Sequence, residues 1–246
     1  MRFDIITIFP KAFDSYFGES MIKRARAKGL LDIRVHNLRD FAVYKKTAPA
    51  TMPARNAFSI ADAGGRIFGR VDEKPFGGGP GMVIKIEPLV RAFSSLKLNT
   101  RRSSQDTLVV LFTPGGKQFD AKAATGFAKK YNRIVMICGH YEGIDERIVK
   151  VVENCKLKIA KLSVGPYVLT GGELPAMLVV DAVARHIPGV LGKAESLEES
   201  RHGIGVQVYT RPEAFAYKGK KYRVPKVLLS GNHKKIEEWR EKQKLR

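Results

Sequence analysis

The sequence predicts an α/β domain built on a mostly parallel sheet, followed by a small, basic, helical tail. Three observations lead there. Over the first two-thirds of the chain, short apolar runs alternate with amphipathic stretches, the pattern of strands joined by crossover helices. Glycine-rich loops follow several of those runs. The charge is also uneven: of a formal +20, from 44 Lys+Arg and 24 Asp+Glu, +9 falls between Arg201 and Arg246, which hold thirteen Lys/Arg and four Glu.

In order, Phe3 to Ile8 reads as a strand, and Pro10 suits the first turn of a helix running towards Gly29. Leu31 to His36 is a second strand. Lys45 to Arg70, with Pro49, Pro53, Gly64 and Gly65, breaks both periods and is expected to be a long loop or insertion. Glu87 to Leu96 is helical, and Leu108 to Phe112 is a buried strand entering Thr113-Pro114-Gly115-Gly116. Phe119, Ala123, Phe127 and Tyr131 recur every four residues and mark one helix face. Arg133 to Cys138 is a strand ending in Gly139-His140-Tyr141-Glu142-Gly143. Ile144, Ile148 and Val151 give a short helix, Lys156 to Leu162 a strand, and Val164 to Gly172 a loop. Glu173 to His186 is a nearly buried helix stopped by Pro188. Between Gly192 and Gly203 the composition turns polar and acidic, so the expected division is a domain over 1–191, a linker over 192–203 and a basic helical domain over 204–246. The last expected helix starts near Asn232, with Ile236 and Trp239 on one face.

Composition narrows the function classes. Hydrophobic residues at 44% and charged residues at 28% are globular values. Two cysteines, Cys138 and Cys155, make no disulfide framework and fit a reducing compartment. No apolar run approaches the roughly 20 residues needed to span a bilayer, and the opening MRFDIITIFPKAF is too short in its apolar core for a secretory signal. A cytosolic protein with a polyanionic partner is expected. In the tail, Tyr209, Tyr217, Tyr222 and Trp239 are interleaved with Lys218, Lys220, Lys221, Arg223, Lys234, Lys235 and Arg240. Cations neutralise phosphates and rings stack on unpaired bases, so RNA is favoured; no recognition-helix pattern points to DNA.

The glycine loops Phe76 to Met82, Pro114-Gly115-Gly116, Gly139 and Gly171-Gly172 let backbone approach a ligand. None is a GxxxxGK[ST] or GxGxxG phosphate loop. The five histidines show no metal-ligand spacing, and no GxSxG or activated cysteine supports nucleophilic catalysis. Acid/base chemistry has candidates in Glu195, Glu198 and Glu199 of the linker and in Arg185 on the preceding helix, where pairing with Asp181 at i,i+4 is the simpler role.

Six blocks, in order, resemble the bacterial tRNA (guanine-N1)-methyltransferases, the TrmD family of the SPOUT class. They are Phe3-Asp4-Ile5-Ile6-Thr7-Ile8-Phe9-Pro10, Pro75-Phe76-Gly77-Gly78-Gly79-Pro80-Gly81-Met82, Cys138 to Arg147, Tyr167 to Ala176, Tyr209-Thr210-Arg211-Pro212 and Leu229-Ser230-Gly231-Asn232-His233. The resemblance implies a deep trefoil knot in domain 1–191, a small C-terminal tRNA-binding domain, a homodimer with active sites at its interface, and methylation of guanine 37 of tRNA. It implies S-adenosylmethionine as methyl donor and brings a family Mg²⁺ requirement for which the sequence shows no ligand set.

Carried over by position, the cofactor residues are Leu111, Phe112, Thr113, Pro114 and Gly116 in the first loop and Gly139, Tyr141 and Glu142 in the second. The third loop supplies Ser163, Val164, Gly165, Tyr167, Leu169, Gly171, Gly172 and Pro175. The target guanine is expected against Gly78, Gly79, Gly81 and Met82, with Ser200 and His233 also on the substrate. The family's aspartate base aligns with Glu199, with Glu198 as a one-residue alternative, and its assisting arginine with Arg185. Pro166 stands where the family usually has aspartate, and 45–70 is longer than the usual link. Two other readings remain: an RNA-binding protein of this fold without catalysis, and a SPOUT methyltransferase acting at another RNA position.

Overall fold

The computed structural model describes residues 1–42, 69–98, 106–192 and 205–243. Most of the 45–70 segment and the linker residues Glu195, Glu198, Glu199 and Ser200 lie outside these. The chain divides into two compact units, Met1–Val190 and Leu191–Arg246.

The first unit is a mixed α/β fold on a parallel sheet. Its strands are β1 (Arg2–Thr7), β2 (Asp32–Asn37), a separate antiparallel pair β3 (Asp72–Glu73) and β4 (Val83–Ile84), then β5 (Thr107–Gln118), β6 (Arg133–Ile137) and β7 (Lys158–Ser163). Five of them form one sheet in the order β2-β1-β6-β5-β7, every pair parallel. Register puts Ile5, Met136 and Val110 in one row and Ile6, Ile137 and Leu111 in the next. Side chains alternate across a strand, so the rows face opposite sides, and both are buried; this is why the strands read as continuous apolar runs.

One face is covered by α1 (Asp14–Phe17), α2 (Ser20–Ala27), α4 (Ala121–Lys130) and α6 (Glu173–Ala184), through residues such as Phe17, Ile22, Ala124 and Val180. The other is covered by α3 (Ile86–Ser95) and α5 (Arg147–Asn154), through Leu89, Phe93, Ile148 and Val152.

Three elements differ from the periodicity reading. The helix expected from Pro10 to Gly29 is broken: a 3-10 turn over Pro10–Phe13 and α1 end at Gly18, whose N–H reaches the Asp14 carbonyl, and α2 starts anew. The strand at Leu108 does not end at Phe112. It leaves the ladder there and pairs again at Lys117 and Gln118 with Leu162 and Ser163, so Thr113 to Gly116 is an excursion within β5. Ile144 bridges Ile84 instead of entering the helix, so α5 begins at Arg147.

In the second unit the expectation was a helical domain, of which periodicity placed one helix, from near Asn232. Alongside α7 (Lys226–Leu229) and α8 (His233–Glu241) stands a hairpin of β8 (Ala214–Tyr217) and β9 (Lys220–Arg223). Its two-residue turn is Lys218-Gly219, both at positive φ, as strand twist favours. Asn232 caps α8 by accepting the Lys235 N–H at 3.1 Å.

Opposite the site end of the sheet, Asp4 is fully buried in β1. Arg2 Nε at 2.8 Å, Arg133 Nε at 2.7 Å and His36 Nε2 at 2.8 Å surround its carboxylate. Burial alone would raise its pKa, but the hydrogen bonds from His36, Arg2 and Arg133 prevail and hold it well below the usual carboxylate range. A depressed carboxyl contributes stability above its unfolded value, near pH ~3.9, and loses it as pH falls through the folded value. Removing one partner of a buried ion cluster costs about 3–5 kcal/mol. Asp4→Asn should therefore be destabilised by that order at pH 7 in urea titration, and the gap to the wild type should shrink below about pH 4.

Candidate active site

The parallel sheet sends the carboxyl ends of its adjacent strands β6, β5 and β7 to one edge, where open α/β sheets place their ligand crevice. A cavity of about 390 Å³ lies there, within the range of small-molecule sites. β5 contributes Leu111, Phe112, Thr113 and Pro114; the β6 turn contributes Gly139, Tyr141 and Glu142; the segment after β7 contributes Ser163, Val164, Tyr167, Leu169, Gly171, Gly172 and Pro175.

Two of the residues singled out in those loops shape the cavity without lining it. Gly116 packs on the backbone of Leu162, where a Cβ would sit 2.7 Å from the Leu162 nitrogen. Gly165 is folded into its own loop: its carbonyl accepts from Ser163 Oγ at 2.8 Å, and the Tyr167 ring lies over its Cα. The Tyr167 hydroxyl donates to the Val164 carbonyl at 3.2 Å, closing that turn with Pro166 inside it.

The second and third loops are joined by backbone. Gly172 N–H donates to the Gly139 carbonyl at 2.9 Å, and His140 bridges Gly171. A Cβ on Gly172 would come within 2.6 Å of Cys138 Cα, so only glycine permits the approach. Glu173, the next residue, is buried at the start of α6 and accepts from Thr7 Oγ1 at 2.6 Å, which fixes the turn to the end of β1. Burial, with Glu173 nearby, pushes the Cys138 thiol well up, so it is no nucleophile. Tyr141 holds a positive φ of 60°, a costly conformation for a ring-bearing residue and one found at ligand sites.

The Phe76 to Met82 loop is tied to the same place. Glu142 N–H donates to the Met82 carbonyl at 3.0 Å, and Ile84 N–H to the Gly143 carbonyl at 3.0 Å. Gly81 holds φ +89°, a conformation that disfavours a side chain, and the Glu142 side chain lies against it. Met82 and Gly81 thus stand against Glu142 at the cavity's edge, whereas Gly78 and Gly79 lie further along the loop with open space around them, and Phe76 is fully exposed.

The whole chain carries this arrangement in a known sequence family. Residues 1–53 and 59–246 match the family described as tRNA (guanine-1)-methyltransferase TrmD. The chain belongs to the tRNA (guanine-1)-methyltransferase family. Three curated proteins named tRNA (guanine-N(1)-)-methyltransferase align with all of it. That of Dictyoglomus turgidum is 42% identical over 86% of its own length, that of Clostridioides difficile 39% over 93%, and that of Desulforamulus reducens 42% over 84%. The interruption in the tRNA (guanine-1)-methyltransferase family match, 54–58, falls inside the 45–70 segment.

Of the remaining candidates in this tRNA (guanine-1)-methyltransferase family member, Arg185 caps the end of α6, half-buried. Burial, together with the nearby carboxylate of Asp181, the i−4 neighbour of Arg185, raises the Tyr16 pKa. His233 is exposed at the start of α8 in the second unit. Glu198, Glu199 and Ser200 lie outside the described residues.

Ile137, His140, Gly143, Ile144, Glu146, Leu162, Val168 and Thr170 also line the cavity; none was among the expected cofactor residues, although all but Ile137 and Leu162 fall in the blocks that carry the resemblance. Ile137 and Leu162 had a signal: they pair with Leu111 and Phe112 at the same strand level. The Thr7–Glu173 contact spans 166 positions and left none. Gly172→Ala should cost about 1–3 kcal/mol by overpacking. Hydrogen exchange should accelerate in both 139–143 and 163–172, because one contact holds both loops.

Proposed function

We propose that the protein transfers the methyl group of S-adenosylmethionine to N1 of guanine 37 in tRNA, beside the anticodon, in the cytoplasm. The observation that carries this is the convergence of three family loops on one cavity next to the glycine loop at Gly78 to Met82. The cavity's chemistry fits the donor. Its walls combine loop backbone and apolar side chains with the polar groups of His140, Glu142, Glu146 and Ser163, and no phosphate loop is among them, as suits a cationic adenosine donor without phosphates. When bound, S-adenosylmethionine supplies an electrophilic methyl group.

The chain's own residues then have separate tasks. Leu111 to Pro114, Gly139, Tyr141, Glu142 and the Ser163 to Pro175 loop hold the donor and exclude water, with Gly116 and Gly165 setting the loop shapes. Gly78, Gly79, Gly81 and Met82 receive the guanine, and Ser200 and His233 contact the RNA. Glu199, or Glu198 one position earlier, takes the N1 proton, and Arg185 offsets the charge that develops on O6. Mg²⁺ has no assigned ligands: among the described residues no three His, Cys, Asp or Glu side chains cluster to hold a metal.

The reading includes the SPOUT trefoil knot, supported by the return of the chain after β7 to the backbone of Cys138 and Gly139. It assigns 1–191 to the methyltransferase domain, 192–203 to a linker and 204–246 to tRNA binding. No helix among the described residues is long and apolar enough to cross a membrane.

It also includes a homodimer, supported by α6. Leu174 and Leu178 are 62% and 42% exposed, and with Asp181 and Arg185 they follow one helical stripe. A partner covering that stripe would sit beside Arg185. Leu178→Glu should shift sedimentation from dimer to monomer and lower methylation with it.

The direct test is methylation of a tRNA transcript. A transcript with guanine 37 should gain N1-methylguanosine and one with adenine 37 should not. Glu199→Gln should lower kcat by about 10²–10⁴-fold with tRNA affinity held within about two-fold. Loss in Glu198→Gln instead would move the base by one residue; loss in neither would remove the linker carboxylate from the mechanism.

A further inference from the structure

The hairpin of the second unit has two unlike faces. Phe215 pairs with Tyr222 and Tyr217 with Lys220, whereas Ala214 pairs with Arg223 and Ala216 with Lys221. Paired residues share a face and neighbours along a strand alternate. One face therefore carries Phe215, Tyr217, Tyr222 and Lys220; the other carries two alanines, Lys221 and Arg223. The three rings are 57%, 54% and 55% exposed. Elsewhere in the same unit Tyr209, 46% exposed, packs on Trp239, with centroids 6.3 Å apart.

The exposed rings are ordered. Those of Phe215 and Tyr217 lie within 12° of parallel at 6.5 Å between centroids, and Lys218 Nζ stands 5.4 Å from the Tyr217 ring centre. From Ala214 to Arg223 there are four cations and no acid. An uncovered row of large rings set among cations marks an interaction surface, and the occupant has to offer flat apolar faces and negative charge together.

We propose that the Phe215–Tyr217–Tyr222 face is a stacking platform for unpaired bases of the tRNA, with Lys218 and Lys220 on the adjoining phosphates. It rests on the tRNA reading above and deepens it. Unpaired bases present their π-faces, and ring stacking tolerates any sequence. An A-form duplex hides those faces, so paired RNA offers the rings nothing to stack on. A second copy of the hairpin would set four cations against four, which like-charge repulsion opposes. Lys221 and Arg223, on the far face, are left for phosphates of a neighbouring stretch of backbone.

The test uses the full chain and two labelled RNAs, an anticodon arm with its open loop and a fully paired duplex of the same length. Phe215→Leu and Tyr217→Leu keep apolar bulk but remove the ring. Each should weaken binding to the open-loop arm roughly ten-fold, with duplex binding and S-adenosylmethionine affinity as in the wild type. Tyr217→Phe and Tyr222→Phe keep the ring and should bind within about two-fold of the wild type. Ultraviolet crosslinking of the unaltered protein should join peptide 214–223 to loop nucleotides, which covers the case of a variant that fails to fold.

Unchanged binding in the leucine variants, equal loss on the duplex, crosslinks only from other peptides, or a change in oligomeric mass in place of RNA affinity would each overturn the platform. These readouts do not depend on catalysis. A wild type that bound the arm through these rings but left guanine 37 unmethylated would contradict the proposed function and leave the platform standing.

Discussion

The contact of the Gly172 backbone with Cys138 and Gly139 is the constraint on which the site depends. Strand β7 lies at the edge of the sheet and β6 two positions inward, so a chain leaving β7 has no reason from strand pairing to return to β6. It does so because a residue without a side chain permits an approach that would otherwise place a Cβ 2.6 Å from Cys138 Cα. The Gly172–Gly139 hydrogen bond and the Thr7–Glu173 bond then lock the turn from both sides. With the turn fixed, the loops after β6 and β7 share one wall, and the excursion in β5 supplies the other.

A second tie sets where a substrate can approach. β4 is too short to belong to the main sheet, yet the hydrogen bonds from Glu142 and Ile84 draw the Phe76 to Met82 loop to the β6 turn. Glu142 consequently belongs to two places, lining the cavity on one side and pressing on Gly81 on the other. In the proposed reaction this is the boundary between methyl donor and guanine. The buried Asp4 cluster, at the other end of the strands, serves the frame: three cationic or hydrogen-bonding side chains converge on one carboxylate and join β1, β2 and β6.

Much of this was legible in the sequence because the sheet is buried on both faces. Ile134 to Ile137 and Leu108 to Leu111 are apolar at every position, and only a strand with two covered faces has that need. The site blocks were legible through their glycines and the family resemblance, which pointed to the three loops before their convergence was visible. What could not be read depended mostly on contacts distant in the chain, and in one place on local backbone geometry. The re-pairing of β5 at Lys117 rests on β7, the break at Gly18 on local backbone geometry, and the Glu173 anchor on a threonine in the first strand. The hairpin was missed for another reason: β8 alternates alanine with rings, β9 is mostly cationic, and both faces stand in solvent, so no buried apolar run marks it.

In the proposed function charge and glycine divide the work between the two units, the basic tail offering a surface for RNA and the loops a place for methyl transfer. The central claim is that the cavity at the ends of β5, β6 and β7 holds the methyl donor. Calorimetric titration of S-adenosylmethionine into the wild type and into Gly139→Val, which adds bulk to the cavity wall, tests it most directly. The account predicts one site per chain in the wild type and a large loss of affinity in the variant with the fold retained. No binding to the wild type, or equal affinity in both, would contradict it.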